Sequence, residues 1–254
     1  MIRFAMLGSG SKGNATLVEC GRTRVLVDCG FNLRETEARL LRLGVEAAAL
    51  DAIVVTHEHG DHLGGVARLA RRHRIPVWLT HGTLAAWRDP QVPEIRAFHP
   101  HGELSMGSLQ LTPYPVPHDA REPCQYVFSA GGRRLGILSD AGHVTPHMRA
   151  VLDRCDALLL ECNHDPALLE AGPYPQALKR RVGGDLGHLS NQQAGALLAS
   201  LDCTALQHLV LTHLSETNNT PALAEAAVTQ ALGRTGPWMV CAGQDRGLDW
   251  REIA

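Results

Sequence analysis

The seven residues Thr56-His57-Glu58-His59-Gly60-Asp61-His62 constrain this chain more than any other segment. They follow the apolar run Ala52-Ile53-Val54-Val55 and lead into a stretch with helical periodicity over 62–73, where Leu63, Val66, Leu69 and Ala70 share a face. A buried strand therefore delivers a tight loop carrying three imidazoles and two carboxylates. Imidazole and carboxylate at this density suit zinc, manganese or iron as ligands. A solvated polar loop is the alternative, but such loops rarely place His-x-His-x-Asp-His directly behind a buried strand. One loop cannot close a two-metal site, so further ligands must come from the ends of other strands.

Three residues stand where such ligands are needed. His118 closes Tyr114-Pro115-Val116-Pro117, Asp140 closes Gly136-Ile137-Leu138-Ser139, and His213 closes Leu209-Val210-Leu211-Thr212. An α/β sheet presents its ligands at the carboxyl ends of its strands. Taken alone, each is weak, because a single strand-end histidine is more often structural. Together, in a chain with fourteen histidines, they point to one edge.

Strand-like runs recur at 2–7, 15–20, 24–28, 52–56, 76–80, 108–112, 124–129, 133–138, 157–161, 208–212 and 238–242, separated by glycine turns. Helical stretches lie between them at 33–43, 62–73 and 190–201, and Thr220-Pro221 opens a last helix. Ser190 with Gln193 forms a capping box. Early hairpins followed by alternating helices and strands predict an α/β arrangement of sheets covered by helices. With no linker or composition break, a single domain over 1–254 is expected. No run approaches the roughly 18 apolar residues of a membrane span, and the opening residues lack a signal-peptide core. Seven cysteines, an odd number without a CxxC pair, read as reduced core residues, so a cytoplasmic location is expected. A net charge of −2 excludes a global basic field for nucleic acid.

The order His57-x-His59-x-Asp61-His62, His118, Asp140, His213 resembles the signature of the metallo-β-lactamase superfamily. That resemblance implies a four-layer αββα sandwich with its site at one edge of two facing sheets. It also implies two divalent metal ions, zinc or manganese: His57, His59 and His118 on one, Asp61, His62 and His213 on the other, and Asp140 bridging. Aspartate at position 140, where secreted β-lactamases of this fold usually carry cysteine, points towards phosphodiesterases, nucleases and glyoxalase-like thioesterases. Glu161, ending Leu158-Leu159-Leu160, resembles the glutamate that supports an active-site histidine in the ribonuclease Z branch, although it also reads as an ordinary strand-end carboxylate.

Four further segments resemble the YycJ/WalJ family, whose members are described as DNA exonucleases: Ser9-Gly10-Ser11-Lys12-Gly13-Asn14, Glu161-Cys162-Asn163-His164-Asp165, Gly187-His188-Leu189-Ser190-Asn191, and Leu214-Ser215 with Asn218-Asn219. Cys162 stands where that family usually has serine. The implied activity is a dinuclear phosphodiesterase acting on DNA, a hydroxide between the metals attacking phosphorus in line. Asp61 would orient that hydroxide and His188, just before a capped helix, would assist the leaving oxygen. Ser9, Ser11, Asn14, His164 and Asn218 are the candidate substrate contacts, with a structural role equally open for His164. A phosphodiesterase for a small or cyclic nucleotide is the alternative; a thioesterase and a non-enzymatic metal- or DNA-binding module fit the ligand set less well. The gaps between ligands leave no room for an inserted domain of about 100 residues, so short loops and the core fold must recognise the substrate. No obligate protein partner and no membrane association are expected.

Overall fold

The structure, a computed structural model, describes residues 1–233 and 236–254. Its strands are apolar on both faces because each sheet is covered twice. Along β1 (Ile2–Gly8), Ile2, Phe4 and Met6 point into the space between the sheets, while Ala5 and Leu7 point outward beneath helices. The same alternation governs β2 (Ala15–Cys20), β3 (Thr23–Val27) and β4 (Ala52–Val54), which with β5 (Val77–Thr80) and β6 (Ile95–Phe98) build the first sheet. The second sheet holds β7 (Leu104–Met106), β8 (Leu109–Pro115), β9 (Cys124–Ala130), β10 (Arg133–Leu138), β11 (Ala157–Glu161), β12 (His208–Thr212) and β13 (Met239–Cys241). The last strand, β14 (Leu248–Ile253), returns to the first sheet and pairs with β1.

Three apolar clusters mark the three interfaces between four layers. Phe4, Val25 and Val54 meet Tyr126, Phe128, Leu159 and Val210 between the sheets. Leu26, Ile53 and Leu7 pack under α1 (Leu33–Arg42), α2 (Gly60–Leu63), α3 (Val66–His73) and the segment closing α4 (His81–Ala86). Leu158, Leu160 and Leu211 pack under α5 (Pro146–Leu152), α8 (Asn191–Ala199) and α9 (Pro221–Leu232). Two short helices, α6 (Pro166–Ala171) and α7 (Gln176–Val182), bridge β11 to α8. The chain thus has the αββα sandwich. Cys20, Cys29, Cys124, Cys155 and Cys162 are buried with free thiols. Among the described residues no helix is long and apolar enough to cross a membrane.

Several local expectations are refined. The helix expected over 62–73 is two helices, because the chain breaks at Gly64-Gly65. A Cβ on Gly65 would fall 1.9 Å from the Phe31 carbonyl, and its N–H donates to Cys29 O at 2.7 Å, so backbone must approach backbone there. The strand expected over 108–112 runs on to Pro115, nearer His118. The short edge strands β6, β7 and β14 carry no clean alternation and are fixed by pairing with their neighbours.

The His57–His62 loop is tied to the opposite sheet at its root. The buried Tyr126 hydroxyl donates to Val55 O at 2.6 Å, and Cys124 N donates to Thr56 O at 3.0 Å. Tyr126→Phe keeps the ring packing and removes the donor, so it should lower unfolding free energy by about 1–3 kcal/mol in urea titrations. An unchanged midpoint would show that this tie contributes nothing to stability.

Candidate metal centre

The His57–His62 loop follows β4, while Asp28 follows β3, His118 follows β8, Asp140 follows β10, Glu161 ends β11 and His213 follows β12. Asp28, Asp140 and His213 take left-handed backbone, with φ of 61°, 53° and 54°. Non-glycine residues hold that conformation at a cost of order 1–3 kcal/mol and cluster at functional sites. The turn swings each side chain from the strand axis towards the space between the sheet ends.

Among the described residues, ligand atoms form four overlapping groups, the atoms of each within 4.8 Å of one another: His57 with His59 and His118, Asp61 with His62 and His213, His57 with His62 and Asp140, and Asp140 with Glu161, His188 and His213. Asp140 lies between the first two, Oδ2 3.1 Å from His62 Nε2 and Oδ1 4.0 Å from His118 Nε2. The far nitrogen of each imidazole is engaged elsewhere. His62 Nδ1 lies 2.8 Å from Asp28 Oδ2, His118 Nδ1 3.0 Å from Gly187 O, and His213 Nδ1 3.1 Å from Glu161 Oε1. The Thr56 hydroxyl spends its proton on Asp28 Oδ2 at 2.8 Å, so it accepts from His57 Nδ1 at 3.0 Å. His57, His62, His118 and His213 therefore all turn Nε2 inward, as metal-binding histidines do. His59 turns Nδ1 inward, 3.3 Å from His118 Nε2.

A divalent cation fits this donor set. His57 Nε2 and His213 Nε2 are buried without a hydrogen-bond partner. Such atoms are costly unless something occupies the space they face. Electrostatics point the same way. Burial, with His62 beside it, holds His57 well below its ordinary pKa. Burial opposes charge on His62 too, yet Asp140 and Asp28 outweigh it and hold that imidazole well above. His213 behaves alike, burial being overcome by Asp140, Asp61 and Glu161, which lift it to about 10. A cation would take over the role those protons play opposite the carboxylates.

Glu161 organises the back of the site. Fully buried, it accepts from the backbone N–H of Ala141 and Leu189, both at 3.1 Å, and meets His188 Nδ1 at 2.8 Å as well as His213. Burial disfavours its charge, but the two histidines hold its pKa low, and Glu161 in turn raises that of His188. His188 lines a cavity of about 420 Å³ with Ser11, Asp61, Asp140 and His213.

The candidate substrate contacts separate. Ser11 lines this cavity. Ser9 accepts from His213 N at 2.8 Å, and Asn14 Nδ2 sits 3.2 Å from Asp61 Oδ2 and 3.1 Å from His62 Nε2, so both hold ligand-bearing segments. His164 lines a different cavity, with Lys179 and Arg180, and Asn218 is buried on Ser215. Sequence reading missed Asp28, although Val25-Leu26-Val27-Asp28 is one more polar end to an apolar run. It also missed Asp119, whose Oδ1 lies 3.5 Å from His118 Nε2 and whose Oδ2 accepts from Arg181 Nε at 2.6 Å. Nothing in the sequence linked residues 119 and 181.

A four-layer sandwich with a histidine–aspartate centre at its edge defines a metallo-β-lactamase-fold protein, and residues 23–214 match the β-lactamase superfamily domain. Over 239 residues the chain is 34% identical to exodeoxyribonuclease YycJ of Bacillus anthracis, covering 92% of this chain and 90% of that protein. It is 30% identical over 238 residues to exodeoxyribonuclease WalJ of Streptococcus pneumoniae serotype 2, covering 91% and 88%. Zinc-bound PqqB from Methylobacterium extorquens superposes with a TM-score of 0.75 at 18% identity, over 99% of this chain and 100% of that one. The chain belongs to the β-lactamase superfamily and, within it, to the YycJ/WalJ family.

Asp28→Asn preserves the left-handed backbone, which asparagine tolerates, but weakens the hold on His62. Loss of such an outer partner should reduce metal affinity about 10–100-fold, read by competition with a chromophoric chelator. Wild-type affinity in the variant would remove Asp28 from the account of the site.

Proposed function

We propose that this metal-dependent hydrolase is a dinuclear phosphodiesterase that shortens DNA as an exonuclease. The carrying observation is the pair of ligand clusters with Asp140 between them, 3.1 Å from His62 of one and 4.0 Å from His118 of the other, and His188 on the wall of the same cavity. The names of its relatives in Bacillus anthracis and Streptococcus pneumoniae support phosphodiester bonds in DNA as the target. Zinc or manganese held there supplies an activated water at neutral pH and countercharge for the phosphate oxygens. His57, His59 and His118 would hold one ion and Asp61, His62 and His213 the other, with Asp140 between the two sets.

The chain's own groups do the rest. Asp61, kept ionised by His213 and His62 despite burial, orients the attacking water. His188, its Nδ1 held by Glu161, turns its other nitrogen to the substrate and protonates the leaving oxygen. Burial opposes charge on His188, but Glu161 outweighs it and raises the pKa, which favours the protonated form that a general acid needs. Ser11 is placed to meet a phosphate oxygen. The buried free thiols suit a reducing compartment, which favours the cytoplasm.

End-labelled DNA, matched RNA and bis-p-nitrophenyl phosphate, each with manganese and with zinc, test this reading. Stepwise shortening of DNA is expected, lost in Asp61→Ala. His188→Ala should lower kcat about 10²–10⁴-fold with metal content unchanged. Turnover of the small diester beside intact DNA would replace the exonuclease reading with a small-molecule phosphodiesterase.

A further inference from the structure

We infer that a groove along α2 and α3 carries a single DNA strand away from the metal centre, its phosphates paired with Arg68 and Arg88. This rests on the phosphodiesterase reading above and names the surface that gives it a polymeric substrate.

The groove encloses about 730 Å³, and His59 and Gly60 line both it and the metal cavity. The two spaces therefore meet at the metal-binding loop. The metal cavity alone, about 420 Å³, already lies in the range that holds a small ligand. The larger adjoining space is surplus to a mononucleotide and has the continuity a strand needs.

Its lining has a division of labour. Gly60, Gly64 and Ala67, at four- and three-residue spacing, give a floor almost without side chains. A Cβ added at Gly60 would meet nothing within 4 Å, so backbone faces open space there. Arg68 and Arg71 of α3 line the groove together with Trp87 and Arg88, which follow α4. Arg71 is already committed to Asp89, at 3.1 Å, and to the Gln91 carbonyl at 2.8 Å. Among the described residues, Arg68 and Arg88 have no carboxylate partner, and both are exposed. Glu58 and Asp89 also line the groove, Asp89 being neutralised by Arg71, so the three arginines outnumber the two carboxylates. Two unpaired guanidiniums in a groove that shares His59 and Gly60 with the metal cavity match a phosphodiester backbone, because arginine grips phosphate in a planar, bidentate fashion. Local charge thus serves where the chain as a whole carries −2.

The test uses the full-length, metal-loaded protein and a fluorescent phosphorothioate single strand that resists cleavage. Binding is followed by anisotropy across a salt series for wild type, for Arg68→Ala and Arg88→Ala singly and together, and for Arg72→Ala, an exposed arginine outside the groove lining whose loss of one charge matches each single variant. The double variant should bind about 10–100-fold more weakly, with its log Kd–log salt slope reduced by about 1.4, or about 0.7 for each phosphate that is no longer neutralised. Hydrolysis of bis-p-nitrophenyl phosphate should stay at the wild-type rate. Equal affinity and equal slope in wild type and double variant would overturn the groove. So would an equal loss in Arg72→Ala, which would mean non-specific charge. Binding does not require cleavage: a wild type that binds through the groove but leaves ordinary DNA intact would defeat the exonuclease reading alone.

Discussion

Asp28 is the carboxylate on which the geometry of the centre turns. It accepts from Thr56 N and Thr56 Oγ1, both at 2.8 Å, and holds His62 Nδ1 at the same distance. Because the Thr56 hydroxyl is committed to Asp28, it can only accept from His57, so one buried acid sets the presentation of two imidazoles in different clusters. Burial disfavours its charge and leaves its pKa raised, His62 and Thr56 only partly offsetting this. Such a group is tolerable in a low-dielectric interior when each oxygen is occupied.

Glu161 plays the matching part in the second sheet. It joins Ala141, Leu189, His188 and His213, which follow β10, α7 and β12, so one side chain fixes the relative position of three chain segments. The two acids lie behind opposite sides of the site, one under each sheet's strand ends. Between them the Nε2 atoms of His57 and His213 lack a hydrogen-bond partner, His213 Nε2 standing 3.6 Å from Asp61 Oδ2, and a cation there would satisfy both. Left-handed backbone at Asp28, Asp140 and His213 is consistent with strain held by this network.

The fold's contribution to substrate choice lies outside that network. With a net charge of −2, attraction for a polyanion has to be local, from the cations of the centre and from guanidiniums beside it. Arg181 on α7 meets Asp119 at the mouth of the cavity, while Arg68 and Arg88 stand along the adjoining groove. Exchange between a small substrate and a strand thus depends on loops and helix faces, not on the sandwich itself.

The strand-end ligands were legible because burial on both faces makes strands read as apolar runs, and a polar residue closing such a run announces itself. His118, Asp140, Glu161 and His213 carry that signal, His57 follows Thr56 just past such a run with His59, Asp61 and His62 behind it in the same loop, and Asp28 carries it equally at the end of Val25-Leu26-Val27. Edge strands did not: β7 is only three residues long, and β14 is fixed by pairing with β1 at the other end of the sequence. Ser9 and Asn14 illustrate a different limit: their glycine-rich loop reads as a phosphate cradle, yet their side chains turn to His213 and Asp61. Residue types at a spacing fix what chemistry a segment offers. Which way each side chain faces, which nitrogen of each imidazole is free, and that Arg68 and Arg88 share a groove with Gly60 follow from long-range packing alone, because those contacts join segments that local pattern does not connect.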